Sequence, residues 1–233
     1  VMVLFVLIVY FALISTKKPE QNKVWVGLSK ETAHQLGTPI SSLMAWMDLL
    51  ESSGVDSSLL SDMNKDVNRL SVIAERFSKI GSKPEMELIY VNEVLENATE
   101  YMRRRVSDKV LITTHLPSDA EGAMVCLSLF EWVIENLCKN AVDAMNGEGR
   151  IDVYMTSEKQ QIYIDIKDTG KGIARKNFKT VFNPGYTTKK RGWGLGLTLA
   201  KRIIEDYHAG RIYVKDSEVG KGTTFRIELK RVV

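Results

Sequence analysis

Two runs of apolar residues, which step alternately by three and four positions, most strongly limit the folds open to this chain. The runs are separated by Ser52-Ser53-Gly54 and Asp56-Ser57-Ser58, which interrupt a helix. Alternate steps of three and four place side chains along one stripe of an α-helix, as in a coiled coil. The sequence therefore predicts two helices in an antiparallel hairpin. The stripe comprises Leu36, Ile40, Leu43, Met47 and Leu50 in the first helix, and Leu60, Met63, Val67, Leu70, Ala74 and Phe77 in the second.

A single hairpin would leave half of this apolar stripe exposed to water. Two hairpins can cover each other, so we expect a homodimer built around a four-helix bundle. The alternative is that the stripe packs against the C-terminal part of the same chain.

His34 and Thr38 lie one helical turn apart, and Thr38 directly precedes Pro39. His34 precedes the stripe residue Leu36 by two positions, which is about 200° around a helix. Its imidazole is therefore expected to face solvent, with Thr38 on the same outer face. An exposed imidazole is largely neutral at pH 7, and the neutral ring is nucleophilic. Pro39 cannot donate to the carbonyl of Gln35, so we expect a kink beside His34.

The composition limits the class of protein. The 233 residues, 44% apolar and 26% charged, suit one or two globular domains. The formal net charge of +3 is too small to indicate a nucleic-acid partner. Cys126 and Cys138 show neither zinc-ligand spacing nor a disulfide framework. A reducing compartment is therefore expected.

The first fourteen residues carry no charge and are followed by Lys17 and Lys18. Fourteen helical residues extend about 21 Å, whereas a bilayer core is about 30 Å thick. We interpret residues 1–16 as the end of a transmembrane helix in the inner or plasma membrane. Residues after about 16 are then cytoplasmic, because lysines favour the inner side of a membrane. A signal-peptide core and a packed helix are the alternatives.

Beyond Gly81-Ser82-Lys83-Pro84 the pattern changes from helical to mixed. We expect fold class α+β, with the hairpin followed by a two-layer α/β sandwich that has a mixed sheet and helices on one face. Apolar periodicity predicts helices over Val91–Met102, Leu129–Met145 and Leu195–Tyr207, and strands over Val110–Thr114, Ala123–Cys126, Ile151–Met155, Ile162–Ile166, Arg211–Lys215 and Thr223–Leu229.

Two polar motifs interrupt this apolar pattern. Asn136 and Asn140 lie four positions apart on a helix that is otherwise apolar on that face. Amide oxygens suit a hard cation such as Mg²⁺ bearing phosphates, although two asparagines also commonly hydrogen-bond locally. Asp168-Thr169-Gly170-Lys171-Gly172 directly follows a strand. Its glycines allow a tight turn, and the Asp168 carboxylate could accept a hydrogen bond from an exocyclic amine.

A polar, glycine-rich and cationic loop occupies residues 182–197 and runs into a helix. Backbone amides at the helix start, with Lys189, Lys190 and Arg191, would form an anion site. The loop lacks the residue order of a P-loop, and no parallel βαβ unit surrounds it as in a dinucleotide fold. A mobile hinge loop is the alternative. A further turn, Gly220-Lys221-Gly222-Thr223, opens the last strand.

These four motifs, in this order behind the His34 helix, resemble the sensor histidine kinases of two-component signalling. The resemblance covers nearly everything from Trp25 to the C-terminus. It implies an ATP-binding domain of the Bergerat fold, which gyrase and mismatch-repair ATPases share. It also implies that His34 is phosphorylated on a ring nitrogen, with ATP and Mg²⁺ as cofactors. The residues that match the nucleotide site are Asn140 as the Mg²⁺ ligand with Asn136 beside it, Asp168 for the adenine amine, Gly170 and Gly172 around the base, Lys189, Gly192, Gly194 and Gly196 in the lid and its hinge, and Thr223 on the far side.

The implied reaction is in-line phosphoryl transfer from ATP to His34. Asn136 favours a kinase over an ATPase, because an amide cannot activate water as a glutamate could. Many members of the family carry an acidic residue directly after the histidine, whereas this chain has Gln35. The Gln35 oxygen can fix the imidazole tautomer but cannot take up its developing charge. We therefore expect slower autophosphorylation, which Gln35→Glu should raise. Thr38 resembles the residue that positions water for dephosphorylating the partner.

The resemblance implies three segments: residues 1–16 as the end of a transmembrane helix, 17–82 as the dimerisation and histidine phosphotransfer hairpin, and 83–233 as the ATP-binding catalytic domain. It implies a homodimer that transfers the phosphoryl group to an aspartate in the receiver domain of a response regulator. Two alternatives stay open: a degenerate kinase that serves as a nucleotide-binding dimeric scaffold, and a Bergerat-type ATPase.

Overall fold

The computed structural model describes residues 31, 33–55, 57–82, 84–189 and 194–232. The chain divides into two compact units, residues 1–84 and 85–233. The first unit contains helices α1 (residues 33–52) and α2 (Ser57–Gly81). The second contains β1 (Glu87–Tyr90), α3 (Val91–Arg103), β2 (Val110–His115), β3 (Gly122–Val125), α4 (Leu127–Ala144), β4 (Gly149–Glu158), β5 (Gln161–Asp168), the 3₁₀ turns Arg175–Asn177 and Thr180–Phe182, α5 (Gly196–Arg202), the π-helical turn Ile203–Tyr207, β6 (Arg211–Glu218) and β7 (Gly222–Val232).

Helices α1 and α2 pack through alternate members of the predicted apolar stripe. Ile40 and Met47 of α1 form one buried cluster with Val67 and Ala74 of α2, and Leu36 packs against it. Four other stripe positions are between 37% and 44% exposed in this single chain: Leu43, Leu50, Met63 and Leu70. Leu60 is buried, and Phe77 is partly buried. One half of the stripe therefore joins the two helices, and the other half faces outward.

Gly54 ends α1 in a left-handed conformation, with φ of 78°. The Gly54 N–H donates to Glu51 O at 3.2 Å, and the Val55 N–H donates to Leu50 O at 3.3 Å. These two bonds are those of a Schellman motif, in which glycine is preferred because it has no Cβ. The motif satisfies the last carbonyls of α1 and allows α2 to begin at Ser57.

The second unit is built on a mixed seven-stranded sheet with the order β1-β3-β7-β5-β4-β2, and β6 also pairs with β7. The pair β2–β4 is parallel, and the other strand pairs in the described residues are antiparallel. Strand β7 is the longest of those described, with 11 residues. It pairs with β5 along one edge and with β6 and β3 along the other.

Helices α3, α4 and α5 pack on one face of this sheet. Alternation along the strands directs side chains such as Ile164 of β5 and Ile227 of β7 to that face, and both are fully buried. Leu129, Ile134 and Leu137 of α4 are likewise buried. The predicted two-layer α/β architecture with helices on one face is confirmed.

The other face of the sheet is polar and carries satisfied ion pairs. The Asp165 carboxylate accepts hydrogen bonds from Arg226 Nε at 2.6 Å and Nη2 at 2.7 Å, and from Lys215 Nζ at 2.7 Å. The Arg226 guanidinium also lies 4.9 Å from the centre of the Tyr163 ring. A face of this kind can stay in contact with water and needs no second layer of helices.

The structure differs from the predicted elements in two places. Strand β1 is an additional element of four residues, too short to show a periodicity, and it forms by antiparallel pairing with β3. The predicted helix over 195–207 is divided, because α5 ends at Arg202 and a π-helical turn follows. The Ile203 carbonyl accepts hydrogen bonds from both the His208 N–H at 3.2 Å and the His208 ring at 2.7 Å, which favours the wider turn.

The predicted transmembrane segment, residues 1–16, lies outside the described residues. Within the described part of the chain, no helix is long and apolar enough to cross a bilayer. Helix α4, although apolar by sequence, has 18 residues that reach only about 27 Å and include four charged side chains. The predicted location at the inner or plasma membrane is therefore wrong for the part of the chain that the structure describes.

Candidate functional site

Helix α4 places two asparagines beside the core. Val133, Leu137 and Ala141 face the sheet and are buried, so Asn136 and Asn140 lie at the border between core and solvent. Among the described residues, Asn136 Nδ2 is one of two buried side-chain polar atoms without a hydrogen-bond partner. The other is Glu121 Oε2, which forms an ion pair with Arg231 Nε at 2.5 Å. A buried donor without a partner costs about 1–3 kcal/mol and indicates a ligand acceptor at Asn136.

Gly196, the first residue of α5, lies directly against the Asn136 amide. A Cβ at position 196 would lie 2.5 Å from Asn136 Oδ1 and 3.1 Å from Asn136 Nδ2. Only glycine permits this approach. The start of α5 and the middle of α4 thus form one wall, with the amide of Asn136 between them.

Asp168 ends strand β5 and is 3% exposed. Its Oδ1 atom accepts hydrogen bonds from the Gly170 N–H at 2.8 Å and the Thr223 N–H at 3.2 Å. Burial raises the pKa of the Asp168 carboxyl, while the two backbone N–H groups oppose that rise. Both bonds use Oδ1, and Oδ2 is the oxygen to which a ligand amine could donate.

The turn after Asp168 is held against its neighbours so closely that it requires glycine. A Cβ on Gly170 would lie 2.7 Å from the Ala144 Cβ, and one on Gly172 would overlap the Glu218 carbonyl oxygen. Gly172 also has φ of +71°, which side chains disfavour. These contacts fix the end of β5 between the end of α4 and the β6–β7 turn.

Thr223 faces Asp168 across the β5–β7 pair. Its hydroxyl lies 2.9 Å from Ser217 Oγ, and Ser217 Oγ also lies 2.8 Å from the Gly222 carbonyl and 2.7 Å from the Ile173 N–H. Ser217 therefore joins the turn after β5 to the turn before β7. Sequence reasoning missed this residue, because its partners lie on separate turns.

We call residues 183–195 the lid loop. Its two ends are joined by a hydrogen bond from the Gly185 N–H to the Gly194 carbonyl at 3.2 Å. Gly194 has φ of +65°, and a Cβ there would lie 2.5 Å from the Gly185 carbonyl carbon. The glycine predicted at position 194 is thus required where the two ends of the loop meet. Gly192, predicted in the same hinge, lies outside the described residues.

Lys189 of the lid loop reaches α4. Its Nζ lies 2.9 Å from Asn140 Oδ1 and 2.5 Å from Asp143 Oδ2. A second lysine, Lys171, donates to Thr188 Oγ1 at 2.8 Å. The sequence predicted Lys189 and Asn140 as site residues, and the structure brings them together. The structure shows Asp143 as a further residue of this cluster. Its position one helical turn after Asn140 could have indicated this from the sequence.

His34, in the first unit, lies on the exposed side of α1. Gln35 Nε2 donates to Glu31 Oε1 at 2.7 Å, and the Thr38 hydroxyl lies 3.5 Å from the His34 carbonyl oxygen. The helix continues through Pro39. The imidazole is thus exposed to solvent, and Glu31 is a neighbour that sequence reasoning did not single out.

Comparison with known families supports a nucleotide site here. Residues 127–233 match the family described as histidine kinase-, DNA gyrase B-, and HSP90-like ATPase. This range includes Asn136, Asn140, Asp168 and Thr223. The match covers α4, β5, α5 and β7.

Curated relatives extend the similarity to the helical hairpin. Sporulation kinase A of Bacillus subtilis is 26% identical over 220 residues, which cover 92% of this chain and 36% of that protein. Sporulation kinase E of the same organism is 30% identical over 209 residues, covering 87% of this chain and 28% of that protein. The chain thus spans about a third of the length of these relatives.

Solved structures share the fold. Full-length ShkA in complex with AMPPNP aligns with a TM-score of 0.68 and 18% identity, covering 89% of this chain and 46% of that one. Histidine kinase ThkA in complex with the response regulator protein TrrA aligns with a TM-score of 0.60 and 18% identity, covering 96% of this chain and 66% of that one. Residues 127–233 thus belong to the histidine kinase-, DNA gyrase B-, and HSP90-like ATPases, and the chain as a whole is similar to sporulation kinases and sensor histidine kinases.

Proposed function

We propose that this chain phosphorylates His34 with ATP and passes the phosphoryl group to an aspartate in the receiver domain of a response regulator. The observation that carries the proposal is that one chain holds both parts of such a reaction. The second unit contains the buried Asp168 and the Asn136 Nδ2 atom that has no protein partner, and the first unit contains the exposed His34. We assign residues 17–82 to dimerisation and phosphotransfer, and 83–233 to ATP binding. Histidine kinase ThkA forms a complex with a response regulator protein, TrrA, which supports the class of partner.

In this proposal the nucleotide cradle is formed by Asn136, Asn140, Asp168, Lys189 and Thr223, and each of these residues has one task. Asp168 accepts a hydrogen bond from the adenine amine, and Gly170 and Gly172 keep the base pocket open. Thr223 holds Asp168 through its backbone N–H. Asn136 donates to a phosphate oxygen through the Nδ2 atom that has no protein partner. Lys189 releases its contacts with Asn140 and Asp143, and its ammonium group then contacts the terminal phosphates.

Mg²⁺ fits the oxygen atoms of α4. Asn140 Oδ1 and Asp143 Oδ2 already hold one cation, the Lys189 ammonium. In the described part of the chain no three His, Cys, Asp or Glu side chains cluster as a metal site, so phosphate oxygens would have to complete the coordination. Amide, carboxylate and phosphate oxygens are the ligands that Mg²⁺ prefers. When bound, the ion neutralises charge on the phosphates.

The transfer step then requires little covalent chemistry from the cradle. The neutral imidazole of His34 attacks the terminal phosphorus in line, and the bond to the bridging oxygen of ADP breaks. Asn136 holds the phosphates but cannot act as a base toward water. The phosphoryl group is therefore kept for His34 and is not lost to hydrolysis.

The outward half of the apolar stripe supports a homodimer. Leu43, Leu50, Met63 and Leu70 form a row on one side of the hairpin, and each is more than one third exposed. A second copy of the hairpin offers the same row and would complete a four-helix bundle. Since more than half of each side chain is already covered, burying the rest is worth about 1 kcal/mol per large side chain.

Labelling with γ-³²P-ATP tests the proposal. We expect acid-labile label on the wild-type chain and none on His34→Gln, with ADP affinity unchanged because His34 lies in the other unit. Release of free phosphate without label would favour an ATPase. Nucleotide binding with neither product would favour a scaffold.

Thr38 has a separate proposed role, the positioning of water when the phosphorylated partner is dephosphorylated. Its hydroxyl is exposed on the His34 side of α1. Thr38→Ala should then slow dephosphorylation of the regulator and leave autophosphorylation unchanged. An unchanged dephosphorylation rate would remove Thr38 from the mechanism.

A further inference from the structure

Phosphorylation of an imidazole requires a place for one proton. When one ring nitrogen bonds to phosphorus, the ring becomes cationic unless the proton on the other nitrogen leaves. A carboxylate beside the ring can accept that proton. The amide of Gln35 cannot, because it can accept a hydrogen bond but is not basic.

Glu31 places a carboxylate on the side of the helix that carries His34 and Gln35. Glu31 Oε1 accepts a hydrogen bond from Gln35 Nε2 at 2.7 Å. Glu31 lies three positions before His34 and four before Gln35, and residues at these spacings are neighbours on a helix surface. Its side chain is therefore in reach of both.

Other described carboxylates on this helix are too far away to serve. They are Asp48 and Glu51, fourteen and seventeen positions after His34. At 1.5 Å per residue they lie about 20 Å or more along the helix axis. Among the described carboxylates of this helix, Glu31 is the one that can meet the His34 ring.

We infer that Glu31 is the proton acceptor of His34 and that Gln35 holds its carboxylate in place. The inference rests on the proposed kinase function. As the His34 nitrogen forms its bond to phosphorus, the bond between phosphorus and the bridging oxygen breaks, and ADP leaves with that electron pair. The proton on the second ring nitrogen passes to the Glu31 carboxylate, which leaves a neutral phosphohistidine.

The hydrogen bond to Gln35 gives this arrangement its order. A bond from an amide to a carboxylate is charge-assisted and stronger than a neutral one. It limits the rotamers of an exposed glutamate that would otherwise be free. Gln35 is thus a positioning residue, and the proton-accepting carboxylate lies one helical turn earlier.

A double-mutant cycle tests the inference with four proteins: wild type, Glu31→Gln, Gln35→Glu and the double variant. The initial rate of acid-labile labelling is measured at saturating Mg-ATP from pH 5.5 to 9. Glu31→Gln should lower the rate at least about tenfold near pH 7, as expected for loss of a general base. The deficit should shrink at high pH, where solvent base can take the proton. The double variant should recover to within about threefold of Gln35→Glu, because a carboxylate is again present.

Matched measurements separate this inference from the function on which it rests. Glu51→Gln removes another exposed carboxylate of α1 and should label at the wild-type rate. ADP affinity and helix content should be equal in all variants. Two outcomes overturn the role of Glu31 without touching the proposed function. One is a labelling rate of Glu31→Gln within twofold of wild type. The other is an equal loss of rate when Glu31→Gln is made in the wild type and in the Gln35→Glu variant. Absence of label on the wild type overturns the proposed function and the inference with it.

Discussion

The ammonium group of Lys189 lies 2.9 Å from Asn140 Oδ1 and joins the lid loop to α4. The same nitrogen lies 2.5 Å from Asp143 Oδ2. A lysine thus occupies the oxygens that we assign to Mg²⁺. Under the proposed function, nucleotide binding exchanges this contact for contacts with phosphate.

We expect Lys189→Met to weaken Mg-ATP binding about tenfold. The ion pair lost from the free protein is exposed and is worth about 0–1 kcal/mol. A hydrogen bond to a charged phosphate is worth about 1.5–3 kcal/mol, so its loss dominates. Isothermal titration with Mg-ATP would measure the change. Lys109→Met, which removes a lysine from the exposed pair with Glu148, is the matched control, and tighter binding by Lys189→Met would contradict the phosphate contact.

Gly196→Ala should reduce ATP affinity at least tenfold and leave the fold intact. The new Cβ would lie 2.5 Å from Asn136 Oδ1 and must displace that amide. Loss of a placed hydrogen bond to a charged ligand accounts for a change of this size. Gly37→Ala is the matched control, since nothing lies within 4 Å of the Cβ it adds. Equal ATP affinities for the two variants would mean that Asn136 has no part in binding.

Asp168→Asn should lower affinity for ATP about tenfold or more. The Asn oxygen would be used by the Gly170 and Thr223 N–H groups that now bond to Asp168 Oδ1. Its NH₂ group would then face the adenine amine, which is also a donor. The ATP affinity of the wild type should also fall on acidification. Because burial raises the pKa of Asp168, this fall should begin at a higher pH than for an ordinary aspartate. Titrations with ATP at several pH values measure both effects, and Asp216→Asn, on the surface, should behave as wild type.

The elements that form the site could be predicted where local pattern decides structure. Asp168 follows the alternating Ile162, Ile164 and Ile166, so its place at a strand end follows from the sequence. Asn136 and Asn140 share a helix face through their spacing alone.

Contacts between distant segments could not be predicted. Lys189 and Asn140 are 49 positions apart, and Ser217 meets Ile173 across 44 positions. Their meeting depends on how β5, β6 and the lid loop are arranged around α4. The π-helical turn depends on His208, which lies beyond the helix that it changes.

Leu70→Asp should convert a dimer to a monomer. Leu70 is 43% exposed in one chain, and in a four-helix bundle an aspartate there would place a charge in an apolar interface. Light scattering after size-exclusion chromatography gives the mass in solution. Leu49→Asp is the control, because Leu49 is 60% exposed and lies off the stripe. Dimers with Leu70→Asp, or a monomeric wild type, would count against the bundle.

His208 should make the stability of the second unit depend on pH. It is 6% exposed, its Nδ1 lies 2.7 Å from the Ile203 carbonyl oxygen, and its Nε2 accepts from the Cys126 N–H at 3.0 Å. The bond that Nε2 accepts requires the neutral ring, with its proton on Nδ1. Burial lowers the pKa of His208 below its usual 6.5, while the bond from Nδ1–H to the Ile203 carbonyl opposes that change. The unfolded chain therefore binds a proton at a higher pH than the folded one.

The free energy of unfolding should thus fall as pH decreases below about 6.5, with a slope of at most about 1.4 kcal/mol per pH unit from this one proton. Above that pH the contribution of His208 is constant, since the ring is neutral in both states. Urea unfolding at pH 5.5, 6.5 and 8 gives the slope for the wild type and for His208→Gln. The variant should be less stable at pH 8 but lose less on acidification, because glutamine does not titrate. His34→Gln is the control, because His34 lies in the first unit and the measured stability is that of the second. Equal slopes for wild type and His208→Gln would show that other groups govern the acid response.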